Sequence, residues 1–534
     1  MSREELWIPF AGPHGEEWVR ASVVSSGVSG VVVIDPAGNK VTLRPDAVGP
    51  FVDESHLQDH DDICKINNLH VAPLISILSR RFSNGQIYTT ADSVLISLNP
   101  LRIIPGLDDY PSLYIDLPDV SDGEIPSRQA LRPHVYAIAN AALSKMAATN
   151  KSSSIVVAGE SGSGKTEAVK RCMRFLIQAD AEMSTGPEGK GAEVIKDRIS
   201  TSNILFESFG NAMTIRNKNS SRFGRYIKIQ YDNNQRLTSA AVQTFLLEKS
   251  RIGTSRLASG ERCYHVFYAM LQGLQLVDAT TATALNLSNQ PATSFVMLTD
   301  TLGVAHAAAE EDDAFLLPNI CSALAAVGTT EEEMRELWQL LGVLLHLGNV
   351  RFGEAAEEGK IDSPLMSILQ IAGFLKLDSE LLTKALTQQV LQAGGRTSVH
   401  TKILSPAEAV YNLQALIRFL YQAVFDWVVK KVNASFSTEA QPPTEPNRNH
   451  PSPFIGLLDI FGFEILQTNS LEQLLINFTN ERLQQQFNEV TLSYPPPYLP
   501  RLPPPPCLPR PWPKPLPRLH APLTPPSPSL SPRV

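Results

Sequence analysis

The spacing of hydrophobic positions changes along this chain, and the first change separates a short alternating segment from the rest. Between residue 5 and about residue 50, apolar and polar positions alternate in short runs, which predicts antiparallel strands. The turn sequence Pro36-Ala37-Gly38-Asn39 separates the last two runs. We predict a small β-barrel of about five strands in residues 1–52, a pattern that any small β module would share. The predicted strands include 6–8, 17–21, 30–34 and 40–43.

From residue 53 onward, helical and strand periods alternate, which predicts an α/β sheet with a ligand site at the carboxyl ends of its strands. Between residues 255 and 450 the pattern is mainly helical, and the apolar stripes there are most simply core. The predicted helices include 133–146, 192–208, 264–274, 331–347, 365–375 and 407–433. The predicted strands include 93–98, 154–158, 226–231, 238–244 and 454–458.

The amino-acid composition changes at about Val490, where a proline-rich segment begins. Residues 494–534 contain eighteen of the forty prolines, with repeated Pro-x-x-Pro patterns. Proline lacks a backbone N–H and cannot continue helix or sheet ladders. We predict that residues 491–534 form a disordered, polyproline-II-like tail, of the kind that SH3 and WW domains bind.

Composition excludes some classes of function. The net charge of the chain is −8, and the residues from 491 onward carry five basic side chains and no acid. The residues before 491 are therefore more acidic than the whole chain, which argues against broad nucleic-acid binding. Five widely spaced cysteines fit free thiols in a reducing compartment. The amino terminus lacks an apolar signal region, and the most apolar helical run is too short to span a bilayer. These features predict a cytoplasmic protein without a membrane span.

The segment with the clearest chemistry joins a predicted strand, Ser154 to Ala158, to a predicted helix. It has the form Gly, four residues, Gly-Lys-Thr, in which backbone N–H groups and a helix amino terminus surround a phosphate group. Lys165 would reach the β and γ phosphates, and the Thr166 hydroxyl would ligate Mg²⁺. The candidate phosphate-binding residues are Gly159, Glu160, Ser161, Gly162, Ser163, Gly164, Lys165 and Thr166.

Two later segments carry further candidate chemistry. The polar run Asn217 to Gly224 would by itself most often be a turn with local side-chain hydrogen bonds. The predicted strand 454–458 ends at Asp459, and an acid at a strand end beside a phosphate loop can hold Mg²⁺ or its waters. Gly462 would allow a backbone N–H to approach a γ-phosphate closely.

Together these three segments give the chain a resemblance to the myosin motor domain, in the order that myosins have. Gly159 to Glu167 resembles the P-loop, Asn217 to Gly224 switch I, and Leu457 to Glu464 switch II. Kinesins use different residues in the second and third segments, and P-loop kinases or small GTPases do not combine them. Further matches are Leu246 to Arg251, Leu344 to Asn349, Phe425 to Trp427, Asn469 with Ser470, and Ile476 to Glu481.

The resemblance implies a P-loop nucleoside triphosphatase fold in residues 53–490, a mixed twisted sheet flanked by helices with a large helical upper subdomain, after an SH3-like β-barrel. It also implies ATP and Mg²⁺ as ligands and filamentous actin as a partner. The implied catalytic residues are Ser220, Arg222, Gly462 and Glu464, with Arg222 pairing with Glu464 to close the site. Thr166 and Ser221 would ligate Mg²⁺, with Asp459 behind its waters. The other implied nucleotide-binding residues are Asn99, Pro100, Glu167, Asn217 and Asn219.

Some positions depart from the family pattern. Asn99 and Pro100 match the segment that bounds adenine, but the spacing to Tyr110 differs and its role stays open. Ser398 is a candidate regulatory phosphorylation site or a solvated loop serine. The match ends near Phe487, before the converter, the lever and one strand of the family's central sheet, which predicts a gap beside the P-loop strand. We therefore expect a truncated motor head with an unrelated tail; the alternative is a non-motor interaction protein that recruits SH3 or WW partners.

Overall fold

The structure is a computed structural model, and most of the chain before residue 494 can be described. The described ranges are 4–12, 15–27, 30–109, 111–114, 132–183, 190–232, 235–253, 257–305, 310–353, 361–392, 399–436, 452–464 and 469–493. Tyr110, Ser398 and the proline-rich segment from 494 onward lie outside them. The architecture below is that of the unit Met1–Glu481; a second unit, Arg482–Val534, contributes the described residues 482–493.

An antiparallel sheet occupies the amino-terminal region. It contains four strands in sequential order where about five were predicted, and Phe51 adds only a single bridge to Leu6. Leu6, Ile8 and Val33 are buried in its small core because alternate side chains of a strand point to the same face. The strands are β1 (Glu5–Gly12), β2 (Gly15–Gly27), β3 (Gly30–Ile34) and β4 (Lys40–Leu43).

Helices and strands alternate through the next region, which confirms the mixed α/β architecture predicted from the sequence. The helices are α1 (Glu54–Leu57), α2 (Val71–Ser83), α3 (Val135–Thr149), α4 (Lys165–Met183) and α5 (Lys190–Gly210). The strands are β5 (Tyr88–Ala91), β6 (Val94–Ser97), β7 (Ser153–Val157), β8 (Asn211–Ala212), β9 (Ser220–Ser221), β10 (Gly224–Tyr231) and β11 (Leu237–Phe245).

The following region is mainly helical, as the sequence predicts. Its helices are α6 (His265–Val277), α7 (Ala279–Ala284), α8 (Glu310–Ala326), α9 (Glu331–Gly348), α10 (Ile368–Phe374), α11 (Ser379–Thr387), α12 (Pro406–Phe436) and α13 (Leu471–Ser493). Its strands are β12 (Arg351–Phe352), β13 (Ile361–Asp362), β14 (Gln388–Gln392), β15 (Val399–Ile403) and β16 (Phe454–Asp459). Helix α13 continues past Val490, the position at which the composition changes.

A four-stranded mixed sheet lies at the centre, in the order β11, β10, β16, β7. β16 runs parallel to β7, with Asp459 opposite Val157, so the loops that follow these strands leave the same edge of the sheet side by side. β10 is antiparallel to β16 and places Arg225 opposite Asp459. Among the described strands, β7 pairs with β16 alone.

The helix that follows β7 explains how the sheet and its phosphate loop are held. Helix α4 buries Val169, Cys172, Met173 and Leu176, the apolar positions whose helical spacing is visible in the sequence. These side chains belong to the same core as Ile155 of β7 and Leu457 of β16. Burial of a large aliphatic side chain contributes about 1.5–3 kcal/mol, so this contact fixes the loop at 158–164 from both of its ends.

Candidate nucleotide site

Glycines give the loop between β7 and α4 its shape. Gly159, Gly162 and Gly164 have φ of +156°, +83° and +92°, a region that side chains strongly disfavour. The loop therefore turns tightly, and helix α4 begins immediately after it at Lys165. The first N–H groups of a helix lack intrahelical partners and carry partial positive charge, so this end of α4 favours an anion.

Lys165 is buried at this loop with its side chain turned back over it. Its ammonium Nζ donates to the carbonyl oxygens of Gly159 at 3.0 Å and Glu160 at 2.7 Å. Burial lowers the pKa of Lys165, and the negative charges of Asp459, Glu160 and Glu464 only partly oppose this effect. A phosphate group would therefore fit this site by supplying negative charge to a partly desolvated cation.

The loop after β6 contacts the P-loop through one side chain. Asn99 Nδ2 donates to the carbonyl oxygen of Gly162 at 2.7 Å, and Asn99 Oδ1 accepts from the N–H of Leu101. A Cβ built on Gly164 would lie 3.6 Å from Asn99 Cβ, so the two loops are in direct contact. Pro100 follows Asn99 in the same loop. Glu167, in the first turn of α4, pairs with Lys170 of that helix at 3.0 Å.

The switch I segment lies against the other side chains of the P-loop. Ser220 is buried, and its Oγ is 3.3 Å from Ser161 Oγ. Ser220 and Ser221 form β9, which pairs with β8 and keeps the segment extended. Asn217 also approaches the loop, because a Cβ built on Gly162 would lie 4.0 Å from Asn217 Cβ.

An ion pair joins switch I to switch II in the interior of the protein. Arg222 Nη1 donates to Glu464 Oε1 at 2.5 Å and Nη2 to Oε2 at 3.2 Å, a bidentate contact across 242 residues of sequence. Arg222 is 2% exposed and Glu464 is 7% exposed. Arg222 Nη1 also lies 3.2 Å from Ser220 Oγ, so the pair reaches the P-loop through the two serines.

Helix α13 holds the switch II partner in place. Asn477 Oδ1 accepts from the N–H of Glu464 at 2.8 Å, and Asn477 Nδ2 donates to its carbonyl oxygen at 2.7 Å. Gln473 Nε2 donates to Glu464 Oε2 at 3.4 Å. The orientation of the Glu464 carboxylate is therefore determined by Arg222 on one element and by α13 on another.

A second buried carboxylate, not predicted to act at the site, contacts the same arginine. Glu248 Oε2 accepts from Arg222 Nε at 2.6 Å and from Arg251 Nε at 2.8 Å. Burial by itself would raise the pKa of Glu248, but Arg251 and Arg222 outweigh it and lower that pKa to about 2. Burial by itself would lower the pKa of Arg222, but Glu248 and Glu464 together raise it. The motif from Leu246 to Arg251 was visible in the sequence, but its contact with Arg222 was not.

Gly462 lies directly against the P-loop backbone. A Cβ built on it would be 2.2 Å from the nitrogen of Ser161 and 2.3 Å from the carbonyl carbon of Glu160. No side chain fits at those distances, so the two loops can approach this closely only because residue 462 is glycine.

The predicted magnesium ligands lie at the same edge of the sheet. Asp459 ends β16 and is buried, and its Oδ2 lies 3.4 Å from Arg225 Nη2. Thr166 is the second residue of α4, and Ser221 ends β9. A hydroxyl pair with one carboxylate behind it fits a magnesium ion that also binds phosphate oxygens. Within the described ranges, no group of three or more His, Cys, Asp or Glu side chains could hold a metal ion by itself.

The side chain of Asn219 has partners away from the P-loop. Its Oδ1 accepts from Asn211 Nδ2 at 2.9 Å and lies 3.2 Å from His265 Nε2. Its Nδ2 donates to Glu207 Oε2 at 3.1 Å. In this arrangement the Asn219 side chain contacts β8, α5 and α6, and its implied role in nucleotide binding stays a prediction.

A small cavity adjoins the ion pair. It has a volume of about 40 Å³, and its lining includes Ser161, Arg222, Glu248, Arg251, Glu464 and Gln473. Both members of the switch ion pair thus face one polar space.

Among the helices of the described ranges, none is long and apolar enough to cross a bilayer.

The chain is a P-loop protein, because a strand leads through a glycine loop into a helix that starts at Lys165. Two further loops meet beside this phosphate loop. The sequence matches the family model for the myosin head (motor domain) over residues 60–495. The chain therefore belongs to the myosin head family.

Curated relatives agree with this assignment. Myosin-15 of Arabidopsis thaliana is 34% identical over 482 residues, which cover 88% of this chain and 29% of that protein. Protein OPAQUE1 of Zea mays is 34% identical over 496 residues, 91% of this chain and 30% of that protein. Myosin-1 of Coprinopsis cinerea is 34% identical over 419 residues, 78% of this chain. The chain spans about three tenths of the length of these relatives.

Proposed function

We propose that this chain is an actin-based motor head that binds and hydrolyses MgATP. The observation that carries the proposal is the convergence of three distant segments beside Lys165. Ser161 contacts Ser220, and Arg222 pairs with Glu464 in the interior. Phosphoryl transfer depends on placement and charge neutralisation; these buried polar contacts can supply the placement, and the Lys165 ammonium can supply positive charge.

Each site residue then has a specific role. Lys165 and the P-loop N–H groups, from Gly159 to Thr166, bind the β and γ phosphates. Thr166 and Ser221 would hold Mg²⁺, with Asp459 behind its waters, and the bound metal supplies positive charge at the phosphate oxygens. Ser220 and the Gly462 N–H position the water and the γ-phosphate, while Arg222 and Glu464 exclude bulk water. Asn99, Pro100, Glu167 and Asn217 complete the nucleotide-binding set.

We assign three regions to this function. Residues 1–52 form an SH3-like β-barrel, which the four-stranded sheet and its separate apolar core support. Residues 53–490 form the ATPase core of a myosin motor, including a large helical upper subdomain in the region of α6 to α12. Residues 491–534 are the proline-rich segment, which we assign no part in the ATPase reaction. Filamentous actin is the proposed partner and the actin cytoskeleton the proposed location, both on family membership.

The test compares nucleotide binding with hydrolysis in the purified chain. We expect calorimetry to detect MgATP binding by the wild-type chain and by Arg222→Ala, because Arg222 contacts Ser220 and Glu464 rather than the P-loop lysine. In single-turnover assays Arg222→Ala should be slower by at least about hundredfold, since breaking a buried pair costs about 3–5 kcal/mol.

Lys376→Gln provides the control, because Lys376 forms an exposed ion pair with Glu336 at 2.9 Å. It should bind and hydrolyse MgATP like the wild-type chain. No uptake of MgATP by folded wild-type protein, or an unchanged single-turnover rate in Arg222→Ala, would contradict the proposed function. Turnover with and without filamentous actin then tests whether the head is actin-activated.

A further inference from the structure

The carboxylate of Glu207 lies between the P-loop helix and switch I, although the proposed reaction gives it no role. It belongs to α5, whereas Lys170 belongs to α4 and Asn219 to the loop before β9. Glu207 Oε1 is 2.7 Å from Lys170 Nζ, and Glu207 Oε2 accepts from Asn219 Nδ2 at 3.1 Å. One side chain therefore connects the two segments that carry the phosphate-binding and switch residues.

The side-chain amide of Asn219 has hydrogen-bond partners at both its oxygen and its nitrogen. Its Oδ1 accepts from Asn211 and faces His265, while its Nδ2 donates to Glu207. Burial lowers the pKa of His265 to about 4, so the ring is neutral at pH 7 and its Nε2–H can donate to Asn219. The Asn219 N–H also donates to Asn217 Oδ1 at 3.0 Å. These contacts hold the backbone at residue 219.

The backbone at 219 leads directly to the reacting groups. Ser220 is the next residue, and its Oγ lies 3.3 Å from Ser161 Oγ and 3.2 Å from Arg222 Nη1. At the other end of the link, Lys170 interacts with two carboxylates. Burial by itself would lower the pKa of Lys170, but Glu207 and Glu167 raise it. Displacing residue 219 would therefore move the serine that joins switch I to the P-loop.

We propose that Glu207 is a positioning residue, which holds switch I against the P-loop helix through Asn219 and Lys170. This inference rests on the proposed function, because the position of Ser220 matters only if a triphosphate reacts there. Glu207 acts through the hydrogen bond with Asn219 and does not contact nucleotide. Its loss should affect the hydrolysis rate more than the affinity for MgATP.

The polarity of the contact provides a specific test. Asn219→Asp keeps an acceptor for Asn211 and His265 but places a second carboxylate against Glu207. The double variant Asn219→Asp with Glu207→Gln restores one donor and one acceptor with the wild-type net charge, because the glutamine amide can donate to the new carboxylate. Both variants are nearly isosteric with the wild-type side chains.

We expect Asn219→Asp to slow single turnover of MgATP by about tenfold, the effect of losing one hydrogen bond to a charged group. Binding of MgATP should change by less than about threefold, and hydrogen exchange of backbone amides 214–222 should increase. The double variant should recover the rate to within about threefold of wild type and restore the slower hydrogen exchange. Separate structural damage at the two positions would not produce such a recovery.

Wild-type rates and exchange in Asn219→Asp, or a double variant no faster and no better protected than Asn219→Asp, would overturn the inference. Wild-type protein that does not turn over MgATP, while the exchange data still show coupling between residues 207 and 219, would overturn the proposed function but not the contact. Gln422→Glu, at a half-buried position of α12, is the control and should leave both rate and exchange at 214–222 unchanged.

Discussion

At the scale of single residues, the site is organised around an arginine with two carboxylates. Arg222 uses its Nη atoms for Glu464 and its Nε for Glu248, so the guanidinium keeps one buried partner if switch II moves away. An unpaired buried charge would be costly, and Glu248 avoids that cost. Arg251 balances the second carboxylate through its own contact with Glu248. The two buried carboxylates therefore have different roles around the same cation.

This arrangement predicts a pH-dependent difference between wild type and Glu248→Gln. The pKa of Glu248 is lowered from 4.5 to about 2 on folding, so its ionised form stabilises the folded state above pH 4.5. That stability is lost as the pH falls from about 4.5 towards 2. In urea unfolding at pH 7 we expect Glu248→Gln to be less stable by about 3 kcal/mol, with the difference narrowing in acid.

The control for this prediction is Glu336→Gln, which removes the exposed partner of Lys376. Its midpoint of unfolding should follow the wild-type value at every pH, because exposed pairs contribute little. An equal difference between wild type and Glu248→Gln at pH 7 and at pH 3.5 would show that the Glu248 charge is not responsible.

At the scale of elements, two parallel strands determine where the loops meet. β7 and β16 end at the same edge, so the P-loop and the loop from 460 to 464 leave the sheet next to each other. The absence of a side chain at Gly462 lets the second loop rest on the backbone of Glu160 and Ser161. The same loop continues to Glu464, which reaches Arg222. Loop contact and ion pair are thus consequences of one strand pairing.

Gly462→Ala is expected to separate these loops. The new Cβ would overlap backbone atoms of the P-loop, which cannot move aside as a flexible side chain can. Displacement by about 1 Å is enough to slow a positioned reaction by roughly hundredfold, so we expect a loss of this size in single-turnover hydrolysis. The measurement is quenched-flow analysis of phosphate production.

Gly373→Ala is the matched control, because Gly373 lies in α10 and a Cβ there would meet nothing within 4 Å. Alanine also has a higher helix propensity than glycine. This control should hydrolyse MgATP at the wild-type rate and unfold at an equal or higher denaturant concentration. If Gly462→Ala hydrolyses MgATP as fast as Gly373→Ala, the close approach of the two loops has no catalytic importance.

For the molecule as a whole, the proposed nucleotide site joins segments that are far apart in the chain. Residues 159–166, 217–224 and 459–464 meet at one edge of the central sheet, and the cores of α4, β10 and β16 belong to one cluster. Such a site exists only in the folded state. A ligand that bridges these segments should therefore stabilise the whole unit rather than one loop.

We expect MgATP to raise the free energy of unfolding of the chain by about 2.7 kcal/mol when its concentration is one hundred times its dissociation constant. Denaturant unfolding with Mg²⁺ alone and with a non-hydrolysable MgATP analogue measures this difference. Lys165→Met removes the ammonium at the phosphate site and should abolish the stabilisation. Equal stabilisation of Lys165→Met and wild type would place nucleotide binding elsewhere.

Contacts within one segment of the site could be predicted from the sequence, whereas contacts between distant elements could not. The P-loop, the strand before it and the buried stripe of α4 follow from residues adjacent in sequence, because local turn chemistry and helical spacing determine them. Glu248, Glu207 and Asn477 were not predicted to act at the site. Each contacts it from another element, and a single sequence does not specify which elements pack together.

Short-range patterns in the amino-acid sequence were enough to predict the phosphate loop, the order of the three chemical segments and the mixed α/β class. The folded structure was needed to show that Asn219 turns towards Glu207, that Glu248 shares Arg222 with Glu464, and that Gly462 touches the P-loop. The physical reason is that side-chain direction and close contact depend on packing between strands and helices that are distant along the chain.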